Sequence, residues 1–85
     1  MRSIRCAVIR AYRFTTGGDA VAYRVTDKRT GAVVRPGDQV AHWRPENGTG
    51  VFEAVESGPN GRQQVKVRVD GRVHFAKAWQ LEVTG

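Results

Sequence analysis

Few side chains in this sequence could carry covalent or metal chemistry, and their spacing does not bring them together. His42 and His74 are the only histidines and Cys6 the only cysteine. No pair among them has metal-ligand spacing, and no nucleophile has a base beside it. His42, followed by Trp43, reads as an edge-strand residue. Glu53 and Glu56 are three apart, which on a strand sends them to opposite faces and denies them a shared acid–base role. Gly17-Gly18 and Gly48-Thr49-Gly50 lack the Lys-Ser/Thr pair and the helix of a phosphate loop. The chain therefore reads as a non-enzyme, with no catalytic residues, no metal and no cofactor.

Its cations point elsewhere. Fourteen Lys and Arg stand against eight Asp and Glu, a net charge of +6, and eleven of the fourteen are Arg. Arg forks suit bidentate contacts to phosphate or carboxylate. Residues 1–35 carry eight basic and two acidic side chains, whereas residues 36–85 carry six of each. Arg5 and Arg13 are expected on one strand face, with Arg24 on the matching face of the next strand and Lys28 and Arg29 at a turn. Arg10 interrupts the apolar positions, as at a bulge, an edge or a binding surface. A second group, Arg62, Lys66, Arg68, Arg72, His74 and Lys77, falls on the last hairpin. Arg5, Arg10, Arg13, Arg24, Lys28, Arg29, Lys66, Arg68, Arg72 and His74 form the expected nucleic-acid-contacting set. The competing reading is a solvated face that keeps the protein monomeric, with cations guarding an exposed sheet edge. Trp43 is a stacking platform or partner anchor, with a capped-core role as the alternative. Trp79 is assigned to close the core. A cage of Trp43, Phe52 and Phe75 around a methylated side chain is a minor alternative.

The elements that must position these residues are strands. Valine dominates the apolar residues, ten glycines punctuate the chain, and helix-period stripes are missing. Ile4, Cys6, Val8, Tyr12 and Phe14 alternate with Arg5, Ala7, Ile9, Ala11 and Arg13; the first set reads as the core face, with Cys6 a small core residue. Val21, Tyr23 and Val25 follow a Gly-Gly turn, so residues 3–34 read as a hairpin with a short third piece. Further strands are expected at 39–43, 51–55, 64–69, 72–76 and 81–83, with a 3₁₀ turn near Lys77–Gln80. At Asp70-Gly71 the apolar pattern favours a three-residue loop or bulge, setting Val69 opposite Val73 and Val67 opposite Phe75. That register leaves Lys66, Arg68 and His74 together on the outer face. The Met1-Arg2 start lacks a signal peptide's apolar segment, and no apolar run could span a membrane.

Gly37-Asp38-Gln39-Val40-Ala41-His42, Gly48-Thr49-Gly50-Val51-Phe52, Val65-x-Val67 and Leu81-x-Val83 resemble the Tudor/KOW-type SH3-like barrels of bacteria. The likeness is to the Tudor-like tails of bacterial DNA helicases and to the RNA-polymerase-binding domain of CarD-type regulators. It covers residues 36–84. A fainter likeness is to the plasmid-borne type II dihydrofolate reductases, whose Val-Gln-Ile-Tyr strand would fall on Val73-His74-Phe75-Ala76, with only the Val shared.

The resulting expectation is one all-β domain, residues 1–85: an SH3-like (Tudor/KOW) barrel over 36–85 with a basic β-hairpin extension over 1–35. Its expected function is non-enzymatic, largely sequence-independent binding of DNA or RNA. The alternative, implied by the resemblance, is docking on RNA polymerase or another transcription or replication protein. The expected protein is cytoplasmic, away from membranes, and a monomer or homodimer.

Overall fold

Alternating apolar residues and glycine turns produce six strands and one helical turn. The computed structural model describes residues 6–15, 17–18 and 21–83. The strands are β1 (Ala7–Thr15), β2 (Val21–Asp27), β3 (Gln39–Ala41), β4 (Thr49–Ser57), β5 (Gln63–Val69) and β6 (Arg72–Lys77), followed by α1 (Ala78–Leu81). They form one sheet in the order β2-β1-β3-β4-β5-β6. Every pairing is antiparallel except β1 with β3, which run parallel over two residue pairs. The fold is all-β, and the sheet is not closed. It curls so that, past α1, Glu82 forms an isolated parallel bridge to Ala11, and the Val83 N–H donates to the Ala11 carbonyl at 3.1 Å. The stretch 81–83, expected as a strand, supplies only that bridge, and the turn before it is α-helical rather than 3₁₀.

The concave side holds the core: Ile9, Ala11, Val25, Val34, Val40, Phe52, Val65, Val67, Val69 and Ala78. The β1–β2 hairpin is continuous with this unit, since β1 lies between β2 and β3 and contributes Ile9 and Ala11. Gly50 on β4 lies tight against the neighbouring strand β5. A Cβ there would lie 2.7 Å from the Arg68 carbonyl oxygen and from Val67 Cγ1.

Three expectations are corrected. The inner face of β1 is Ala7, Ile9 and Ala11, not Cys6, Val8, Tyr12 and Phe14. Ala11 sits between Val25 on one flank and Glu82 on the other. A small side chain suits that crowded position, and the bulk of Tyr12 and Phe14 turns outward. The β5–β6 loop has two residues, with Val69 opposite Arg72 and Val67 opposite His74. Asp70 and Gly71 both have positive φ, 50° and 79°, the type I′ geometry whose twist matches the flanking strands. Turn chemistry thus outweighs apolar pairing, and Val73 and Phe75 are left exposed. Trp79 does not close the core, being 49% exposed on α1, whereas Trp43 packs against it.

Candidate nucleic-acid interface

The β1–β2 register sorts the N-terminal cations by face. Arg10 lies opposite Thr26, Tyr12 opposite Arg24, and Phe14 opposite Ala22. Partners across a ladder share a face, so Arg10, Tyr12, Phe14 and Arg24 stand together on the side away from the core. Arg10 Nη1 donates to the Tyr12 hydroxyl at 2.7 Å, and its guanidinium carbon is 5.7 Å from the Tyr12 ring centroid. The Arg24 guanidinium carbon is 5.3 Å from the centroid of Phe14. Burial declines along this face, from Thr26 at 6% exposed to Phe14 at 39%. Among the described residues the face carries no carboxylate.

Arg13 does not share a face with Arg24, contrary to expectation. It lies opposite Tyr23, with its Nε 3.5 Å from Glu82 Oε1, and the Tyr23 hydroxyl donates to Glu82 Oε2 at 3.2 Å. Burial, reinforced by the Glu82 charge, raises the Tyr23 phenol above its ordinary range. Arg29 is also engaged: it pairs with Asp27 at 3.7 Å and donates to the Cys6 carbonyl. The Arg29 backbone N–H donates to Asp27 Oδ1 at 2.9 Å and is the chief reason that carboxyl lies below its usual range. Lys28 is exposed at the turn, and Cys6 is half-buried rather than a core residue. Arg5 lies outside the described residues.

On β5 and β6, Lys66, Arg68, Val73, Phe75 and Lys77 share the outer face. Arg68 is neutralised by Glu53 at 3.3 Å, and Lys77 Nζ lies 5.8 Å from the Trp79 ring centroid. Arg72 is exposed beside the turn, and Arg62 is exposed ahead of β5. His74 leaves this group. The two-residue loop turns it to the inner face with Val67, where it meets His42.

His42 is not an edge residue either, being 6% exposed, with its ring 3.9 Å from that of Trp43. The Arg44 backbone N–H donates to His42 Nδ1 at 2.9 Å, which assigns the His42 proton to Nε2. His42 Nε2 then donates to His74 Nδ1 at 3.0 Å. The His42 ring is neutral in this arrangement. Burial, aided by His74, lowers the pKa of His42 below the ordinary histidine value. The facing nitrogens do not form a cation site, because Nε2 already holds a proton. The described residues contain no group of three His, Cys, Asp or Glu side chains suited to a metal. His42, Trp43, Arg44, Asn47, His74 and Phe75 line a small open pocket. Phe52 is in the core, so Trp43, Phe52 and Phe75 do not form a cage. Segments far apart in sequence, the residue after β3 and a residue of β6, make the His42–His74 contact, and no local spacing announces it. No helix among the described residues is long and apolar enough to cross a membrane. Comparison of the chain with family models, with curated proteins and with solved structures yields no match.

Proposed function

We propose that this protein is a non-enzymatic nucleic-acid-binding module that uses the outer face of the β1–β2 hairpin and reads little sequence. The observation that carries the reading is the cluster of Arg10, Arg24, Tyr12 and Phe14 on a face without a described carboxylate. The guanidinium groups there have no acidic partner to displace before meeting phosphate. Lys28 extends the positive surface at the turn. The sheet is read as an SH3-like barrel variant, supported by its curl and the Ala11–Glu82 bridge after a helical turn. A reducing, cytoplasmic setting is supported by the single Cys6. The test is a titration of purified protein with DNA and RNA at two salt concentrations. Each released counterion steepens the salt dependence, so three phosphate contacts give a log–log slope of roughly −2 to −3. Absence of binding at low salt refutes the proposal.

A second reading, docking on a protein such as RNA polymerase, is favoured by the exposed Val73, Phe75 and Trp79 beside Lys66 and Lys77. Co-purification of one defined protein after nuclease treatment supports it. Recovery of none, together with salt-sensitive nucleic-acid binding, removes it.

A further inference from the structure

We infer that the β1–β2 face takes an unpaired strand rather than a duplex, with bases stacked on Tyr12 and Phe14. The inference rests on the nucleic-acid reading and goes beyond it by naming the form of the polymer. Tyr12 and Phe14 are alternate residues of one strand, both pointing away from the core. Their attachment points are therefore about 7 Å apart, twice the rise of an antiparallel strand residue. Bases in a duplex are stacked at about 3.4 Å and present only their edges. An unstacked strand can set one base against each ring at the wider spacing. Each ring has a guanidinium close by, Arg10 at Tyr12 and Arg24 at Phe14, so a base and its phosphate meet adjacent groups.

The same side chains are poorly suited to reading a duplex. A two-stranded ribbon can enter the major groove and read base edges there with Arg, Lys, Asn or Gln, but Arg10 is already bonded to the Tyr12 hydroxyl and Arg24 lies against Phe14. The paired positions of this face hold no Asn or Gln; beyond the two arginines and two rings they are Ala22 and the buried Thr26. Its aromatic end is also the exposed end, where a flexible strand can reach it. Neither tryptophan belongs to the face: Trp43 packs beside His42, and Trp79 projects from α1.

The experiment is fluorescence anisotropy at low salt with a labelled oligothymidylate and a duplex of equal length. It uses the unaltered protein, Phe14→Leu and Tyr12→Phe. Phe14 is partly exposed, so leucine keeps apolar bulk while removing the π-face; a circular dichroism spectrum confirms folding. Tyr12→Phe keeps the ring and loses only the Arg10 hydrogen bond. The single strand is expected to bind about tenfold or more tightly than the duplex, with Phe14→Leu weakening it about five- to tenfold and sparing the duplex. Tyr12→Phe is expected to stay within about threefold of the unaltered protein on the single strand. Equal binding of the two forms, or a single-strand preference indifferent to Phe14→Leu, overturns the inference and leaves nucleic-acid binding standing. Failure to bind either form overturns both.

Discussion

The outer faces of the β1–β2 and β5–β6 hairpins are both rich in cations, yet their charges are differently disposed. Arg10 and Arg24 lie against aromatic rings with no described carboxylate on their face. On the second hairpin Arg68 is held by Glu53, and the uncovered side chains include Val73 and Phe75. Net charge alone cannot tell these surfaces apart. A guanidinium beside a ring has no carboxylate to give up before meeting a phosphate, whereas one paired with a carboxylate must first release that partner. The first surface suits a polyanion, and the second suits a mixed apolar and charged contact.

The sharpest way to break this comparison is to reverse charge on each hairpin separately. Arg24→Glu with Lys28→Glu, and Lys66→Glu with Lys77→Glu, alter net charge equally. The first pair is expected to weaken nucleic-acid binding about thirtyfold at low salt, and the second by less than about threefold. Equal losses would show that bulk charge governs binding and would erase the distinction. Both variants should fold, since Arg24, Lys28 and Lys77 are exposed and Lys66 is half-buried on the outer face, and such surface substitutions usually cost little, under about 0.5 kcal/mol where fully exposed.

An effect of similar size tests the frame that both hairpins share. Gly50→Ala drives a Cβ against the Arg68 carbonyl, which is backbone and cannot swing aside. A loss of about 2 kcal/mol is expected from the overpacking. Thermal melting should remain a single transition, at a temperature lower by about 10 °C. Two transitions would mean that the hairpins are separate cooperative units.

The smallest effect is a pH dependence of stability carried by His42. His42 has a lowered pKa in the folded protein, so it stays neutral where the unfolded chain takes up a proton. Its contribution is complete above the ordinary histidine value of 6.5 and is lost as pH falls below it toward the folded value. Denaturant titrations should show stability declining below that point, and His42→Gln should flatten the decline. An unchanged slope in the variant would place the titration elsewhere.

Much of the fold was legible because period-two alternation and glycine turns are local signals. Strands at Gln39, Thr49, Gln63 and Arg72 begin close to their expected starts. What failed were choices between faces. On β1 both faces carry apolar residues, and size suggested that Tyr12 and Phe14 lie inside; crowding beside Ala11 decides otherwise. On β6 the apolar rank of Val73 and Phe75 competed with the Asp70-Gly71 turn, and the turn prevailed. The cations of the candidate site were visible by type, but their sorting was not. Whether Arg24 meets Phe14 or stands with Arg13 depends on strand register. The His42–His74 pair could not be read at all, since nothing local relates one strand's residue to another's.

The Ala11–Glu82 bridge also constrains the order of assembly. Its two residues lie near opposite ends of the sequence, and Arg13 and Tyr23 draw on the same Glu82 carboxylate. During synthesis, β1 and β2 can pair as soon as both have emerged, but the far flank of Ala11 stays open until Glu82 has been made. Contacts of such long range close slowly because a long loop must first lose its freedom. Until then the nascent chain carries an unprotected strand flank, the kind of exposed edge through which neighbouring chains associate.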